Sequence, residues 1–178
     1  KGILRVLRRI PLLIAVPTTA GTGSEVTLAS VITDSESGHK FPINDFPLIP
    51  RVAVLDVENT RSLPPAMTAT TGMDALTHAI EAFVSVGAHP LTEAYIGRST
   101  TASTRADALE AVRLIFENLE NAYEHGNNIQ AREHMLTAAF LAGRSFSKSY
   151  VGYVHAVAHS LGGRYNIPHG LANAVLLP

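Results

Sequence analysis

Two segments of the chain carry histidine and aspartate at spacings that suit a metal ion. In GMDALTHAIEAF, Asp74 and His78 are four residues apart. A helix would bring both side chains to one face, about one turn apart. In GYVHAVAHSLGGRYNIPHG, His155 and His159 repeat that spacing, and His169 follows on a loop after Pro168. The plainer reading makes Asp74 a helix cap paired with His78, and makes the histidines core residues bonded to backbone carbonyls. Taken together, the two segments offer one carboxylate and four imidazoles. Such a nitrogen-rich set suits Zn, Fe(II), Co or Ni better than Mg or Ca. Three or four protein ligands are enough, so one of the five side chains is expected to move a proton instead, and spacing does not say which. The second segment is not a zincin motif, because Ala156 stands where that motif needs glutamate.

A third segment, PTTAGTGSE at 17–25, follows the apolar run 12–16. Gly21 and Gly23 would let backbone N–H groups approach a phosphate, and Thr18, Thr19, Thr22 and Ser24 add hydroxyls. A tight turn after a strand explains the same residues. Val26 replaces the third glycine of a dinucleotide fingerprint, and no GK[ST] is present. Lys40, two residues after Gly38, is placed on a loop, to meet a phosphate or ribose or simply to face solvent. His89, His125 and His134 sit among polar residues and are expected at the surface.

These side chains need elements to hold them. The runs at 12–16, 26–32 and 52–55 read as short buried strands between turn-rich pieces. From Ser62-Leu63-Pro64-Pro65 onward the texture becomes helical, with prolines suited to a first helical turn. Helices are expected at about 74–86, 104–123, 129–147, 150–161 and 169–177, the second opened by an approximate capping box of Thr104 and Asp107. The chain thus divides into an α/β part, 1–62, and a helical part, 63–178. EAF at 81–83 echoes EAY at 93–95, and no longer repeat is visible.

Composition narrows the partners. The 178 residues are 46% hydrophobic and 16% charged, enough for a sizeable core. A net charge of -1 gives no support to a nucleic-acid or anionic-membrane surface. With no cysteine, a disulfide framework, a thiolate metal site and a thiol nucleophile are excluded within these residues. The start, KGILRVLRRIPLLIAV, imitates a signal peptide, but its apolar run is short and bracketed by Pro11 and Pro17. It reads as an amphipathic helix leading into a strand, in a cytoplasmic protein. The apolar end, Ala174–Pro178, reads as cut from something longer.

Together, PTTAGTGSEVT, LPPAMTATTGMDALTHAIEAF and GYVHAVAHSLGGRYNIPHGLANAVLLP resemble, in this order, the segments of the iron-containing (group III) alcohol dehydrogenase family. The resemblance implies the dehydroquinate synthase-like architecture, an α/β nucleotide-binding part joined to an all-helical part. It implies that Asp74, His78, His155 and His169 bind Fe(2+) or Zn(2+), and that His159 lines the substrate pocket and helps move the proton. Thr18, Thr19 and Thr27 match positions that touch NAD(P), with Lys40 and Thr60 as weaker matches. The family's GGGSxxD loop would lie upstream of Lys1, and the stretch around 84–96 is longer than the family pattern.

The chemistry so implied is hydride transfer between a primary or short-chain alcohol and a nicotinamide cofactor, with the metal as Lewis acid to the alcohol oxygen. A homodimer is plausible within the family. Rival readings are a metal-dependent hydrolase using Glu81 as base, a glycerol dehydrogenase-like enzyme, and a helical interaction domain with structural histidines. The hydrolase leaves PTTAGTGSE unused, and the interaction domain predicts no bound metal.

Overall fold

The computed structural model describes residues 6, 9–33, 35, 40–85 and 100–178. Most of the expected N-terminal helix, His89 and nearly all of the long stretch around 84–96 lie outside the described residues. Two small sheets precede the helices. Strand β1 (Ile14–Ala15) pairs in parallel with β4 (Val52–Ala53), with Ile14 opposite Val52. Strand β2 (Ala29–Thr33) pairs antiparallel with β3 (Lys40–Asn44), with Ala29 opposite Asn44. Lys40 therefore opens a strand, where the sequence suggested a loop. Leu12, Ile14, Val16 and Val52 are exposed, against the expectation of buried strands. Each of these sheets has two strands.

Among the described residues five helices follow: α1 (Pro65–Val84), α2 (Ala102–Glu124), α3 (Ile129–Ser149), α4 (Tyr153–Tyr165) and α5 (His169–Leu176). Helices α1, α2 and α3 enclose the core, in which Ala75, Ala79, Ala111, Ala138 and Ala142 let the backbones approach around Leu76, Ile115, Met135 and Leu136. None of these helices is long and apolar enough to cross a membrane.

Helix α1 begins nine residues before the sequence expectation, with Pro65 as its first residue. The intervening AMTATTGM is a poor helix former by propensity. Tertiary packing overrides that weakness. The hydroxyls of Thr68, Thr70, Thr71 and Thr77 donate back to carbonyls of the preceding turn, and Gly72 leaves room for Leu119 and Met135. Arg132 reaches from α3 to the carbonyls of Leu63 and Gly126, tying the start of α1 to the α2–α3 turn. The capping box of α2 lies three residues earlier than expected. Thr101 accepts from the Thr104 N–H at 3.2 Å, and the Thr104 hydroxyl accepts from the Thr101 N–H at 2.9 Å. Asp107 instead binds Arg144 of α3 through contacts of 2.6 and 2.7 Å. Tyr150, with φ of 62°, breaks the chain between α3 and α4, so α4 starts later than the expected residue 150.

Candidate metal centre

Asp74, His155 and His169 come from three different helices, α1, α4 and the first residue of α5. Each offers one ligand atom, and the three atoms lie within 4.8 Å of one another. Asp74 Oδ1 is 3.6 Å from His155 Nε2 and 3.5 Å from His169 Nε2. Donors bound at about 2.0–2.1 Å in a tetrahedral arrangement are roughly 3.4 Å apart, so these separations already match a shared small cation. Asp74 and His155 are buried, while His169 is half-buried. The helices meet closely here: a Cβ on Gly170 would run into the Thr70 carbonyl of α1.

Asn173, one turn after His169, was not singled out by sequence. Its Nδ2 lies 2.6 Å from Asp74 Oδ1 and 3.2 Å from each of His155 Nε2 and His169 Nε2. The amide nitrogen thus lies among a carboxylate oxygen and two ring nitrogens, and with both rings neutral and unprotonated at Nε2 their lone pairs converge where a positive group is favoured. His78 lies on the same face of α1 as Asp74, but its ring packs between Phe146 and His155 at centroid distances of 4.2 and 4.4 Å and does not join the three-atom cluster. Its Nδ1 is buried without a hydrogen-bond partner. His78 thus stands on the same helix face as Asp74 but outside the group of three ligand atoms that lie within 4.8 Å of one another. By donor type, burial and separation, these residues fit a divalent transition metal.

The protonation states follow from the same geometry. Burial pushes Asp74 upward, but the His155 imidazole, the charges of His78 and His169 and the Asn173 amide outweigh it and bring Asp74 down to about 2. Burial, reinforced by His155 and His169, lowers His78 to about 4 despite the attraction of Asp74. His169 is lowered chiefly by burial, and its position at a helix start agrees with a neutral ring. Burial also opposes charge on His155, yet Asp74 and Glu81 prevail and raise it. Neutral imidazole and ionised carboxylate are the metal-binding forms.

His159 stands at the exposed mouth of this cluster, its ring stacked on that of His169 at 4.8 Å and 6.1 Å from that of His155. Glu81 is the second residue whose place the sequence did not give. Its Oε2 contacts His155 Nδ1 at 2.6 Å and its Oε1 accepts from the Val154 N–H at 2.7 Å. Both oxygens are engaged by α4, so Glu81, the base named for the hydrolase reading, is occupied in holding that helix. The signal was present: Asp74, His78 and Glu81 fall at i, i+4 and i+7, one stripe of a helix.

The threonine-rich loop sits against this centre, with the Gly21 carbonyl facing the His78 ring. Its glycines allow close packing against α1 and α3. A Cβ on Gly21 would lie 2.7 Å from Thr71, and one on Gly23, at φ 59°, would lie 2.6 Å from Gly143. Thr18 is exposed and Thr19 half-buried. The Thr27 hydroxyl donates to the Ser24 carbonyl at 3.4 Å, and buried Thr60 donates to the Val57 carbonyl at 2.8 Å. Of the other histidines, His125 is exposed, whereas His134 is half-buried, with Nδ1 2.9 Å from Asn118 Oδ1.

Comparison with known proteins agrees with this geometry. The family model "Fe-containing alcohol dehydrogenase family, C-terminal" matches residues 68–178, and "Iron-containing alcohol dehydrogenase" matches residues 3–57. The chain is 48% identical over 177 residues to 1,3-propanediol dehydrogenase of Klebsiella pneumoniae, covering 99% of this chain and 43% of that protein. The crystal structure of a 1,3-propanediol oxidoreductase superposes with a TM-score of 0.88 at 47% identity, over 99% of this chain and 43% of the other. A sulfoacetaldehyde reductase from Bifidobacterium kashiwanohense, solved in complex with NAD+, superposes with a TM-score of 0.80 at 39% identity, over 94% of this chain and 43% of the other. The chain therefore spans less than half the length of these relatives. The expected architecture is borne out, and the chain belongs to the iron-containing alcohol dehydrogenase family.

Proposed function

We propose that this chain supplies the metal centre and part of the cofactor face of an NAD(P)-dependent alcohol dehydrogenase. The observation that carries the reading is the convergence of buried Asp74 and His155 and half-buried His169 from three helices onto one point. In this reading these three residues, with His78 as the fourth donor, hold Fe(2+), or Zn(2+), which accepts the same ligands. When bound, the metal supplies Lewis acidity to an alcohol oxygen, and the nicotinamide takes up the hydride.

The chain's own residues do the rest. Asp74 brings the negative charge that offsets a cation, and neutral His78 and His169 offer lone pairs without first losing a proton. His159, exposed yet stacked on His169, is placed to pass the alcohol proton toward solvent. Thr18, Thr19 and Thr27, and more weakly Lys40 and Thr60, are assigned to the dinucleotide side. Thr18 and Thr19 lead this group, because the Thr27 and Thr60 hydroxyls already donate within the protein. In the division proposed here, residues 1–62 belong to a nucleotide-binding part and 63–178 to the metal-binding part. The substrate class is a small primary alcohol or its aldehyde, and the setting is a cytoplasmic enzyme able to form homodimers. The engagement of both Glu81 oxygens supports this reading over hydrolysis.

The test is alcohol-dependent reduction of NAD or NADP, followed by absorbance in the intact protein with short primary alcohols and diols. His159→Ala is expected to keep the metal and slow turnover about 10²-fold, the range of a lost general acid or base. No cofactor reduction with any alcohol, in metal-replete protein, would refute the assignment.

A further inference from the structure

Glu81 projects from α1 toward the start of α4, outside the donor cluster. Helix α4 begins after Gly152, which has no side chain to cap the exposed N–H groups. Glu81 provides the cap from another helix, its Oε1 accepting from the Val154 N–H at 2.7 Å. The absence of a side chain at position 152 is part of the arrangement. A Cβ there would stand 2.9 Å from Glu81 Oε1 and 3.3 Å from its Cδ.

The second oxygen acts on the next residue but one. Oε2 lies 2.6 Å from His155 Nδ1, and both side chains are buried. A carboxylate can only accept, so the facing Nδ1 must carry the proton. In the neutral ring this leaves the lone pair on Nε2, the atom 3.6 Å from Asp74 Oδ1 and 3.2 Å from the Asn173 amide nitrogen. Swinging the ring's ligating nitrogen off the cluster would break the Oε2–Nδ1 contact, while the Oε1 cap keeps the carboxylate in place to hold it.

We propose that Glu81, admitted by the bare Cα of Gly152, is a positioning residue that fixes the tautomer and orientation of His155 as an Nε2 metal ligand through the contacts that cap α4. The proposal rests on the metal-centre reading above. Partners of this kind set ligand orientation and basicity, and their loss typically weakens metal binding about 10–100-fold.

The experiment measures Zn(2+) affinity of the intact protein by chelator competition, in the parent and in Glu81→Gln and Gly152→Ala. Glutamine presents one acceptor to two donors, and alanine at 152 displaces the carboxylate without altering its charge. Both variants are expected to bind zinc about 10–100-fold more weakly. Asn128→Ala removes the cap of α3, where Asn128 accepts from the Ala131 N–H at 3.1 Å. It is expected to lower stability and leave zinc affinity unchanged, separating positioning from general loosening. If the parent protein binds no zinc, the metal-centre reading itself fails. If the parent binds zinc and the folded variants match it within twofold, only the role of Glu81 is overturned. Should the variants not fold, ¹⁵N spectra of histidine-labelled, zinc-loaded parent protein decide. A proton on His155 Nδ1 supports the proposal, and a proton on Nε2 overturns it.

Discussion

Replacing Gly170 with alanine tests how closely α5 must approach α1. Gly170 follows His169 directly, and an added Cβ would lie 2.8 Å from the Thr70 carbonyl carbon, with the carbonyl oxygen closer still. That obstacle is backbone inside a helix, so it cannot rotate aside. Restoring an ordinary contact of 3.4 Å requires α5 to retreat at least about 0.6 Å from the carbon, and roughly 1 Å from the oxygen. The His169 Nε2 to Asp74 Oδ1 separation, now 3.5 Å, would then exceed 4 Å, against roughly 3.4 Å for ligands sharing one small cation. Overpacking costs about 1–3 kcal/mol, and alanine returns about 1 kcal/mol of helix propensity. The net loss of stability is therefore modest, about 0–2 kcal/mol. Metal binding is expected to suffer far more, about 10–100-fold, because a displacement near 1 Å is ruinous to a site. Chelator competition measures the affinity, and a urea titration on the same protein measures the stability. A folded Gly170→Ala protein with parental metal affinity would refute the argument that this contact sets the ligand spacing.

Other predictions address the loop, the clamp and the titrating groups. Gly23→Ala combines a positive φ with a clash at Gly143, and is expected to cost about 2–4 kcal/mol in urea unfolding; a loss under about 0.5 kcal/mol would contradict the close seating of the loop on α3. Arg132→Met keeps the bulk but strands the Leu63 and Gly126 carbonyls, and is expected to cost about 2–4 kcal/mol by the same assay. Metal-free protein should be most stable near pH 6.5. Below that value the lowered His78, His159 and His169 favour the unfolded chain, which takes up protons first. Above it, the raised His155 gives up its stabilising proton as pH passes its folded value. A melting temperature that climbs steadily past about pH 8 would contradict the His155 assignment, and bound metal should abolish the upper fall.

The helices were legible because their periodicity is strong, and α2, α3 and α5 begin within two residues of the expected positions. The start of α1 was hidden because a run of threonines and Gly72 argues against a helix until the packing of Leu119 and Met135 is known. Spacing alone brought Asp74, His155 and His169 under suspicion, and folding gathers them. It could not foresee that His78 would stack on Phe146, since that contact joins residues 68 positions apart. The places of Glu81, which the sequence offers only as a hydrolase base, and of Asn173 are not legible for a related reason. Each gains its meaning from a partner on another helix, whereas Asp74 and His78 announce themselves within a single turn. The sequence leaves the glycines of the threonine-rich loop open between a ligand cradle and a close packing contact, because a glycine that admits a ligand and one that admits a helix look alike in sequence.

The central claim is that one cation is shared by α1, α4 and α5. It is tested most directly by the metal content of the intact protein, purified without chelators, beside its Asp74→Ala, His155→Ala and His169→Ala variants. The account predicts about one equivalent of iron or zinc per chain in the parent and almost none in folded forms of the three variants. Full metal occupancy in folded His155→Ala protein would contradict it.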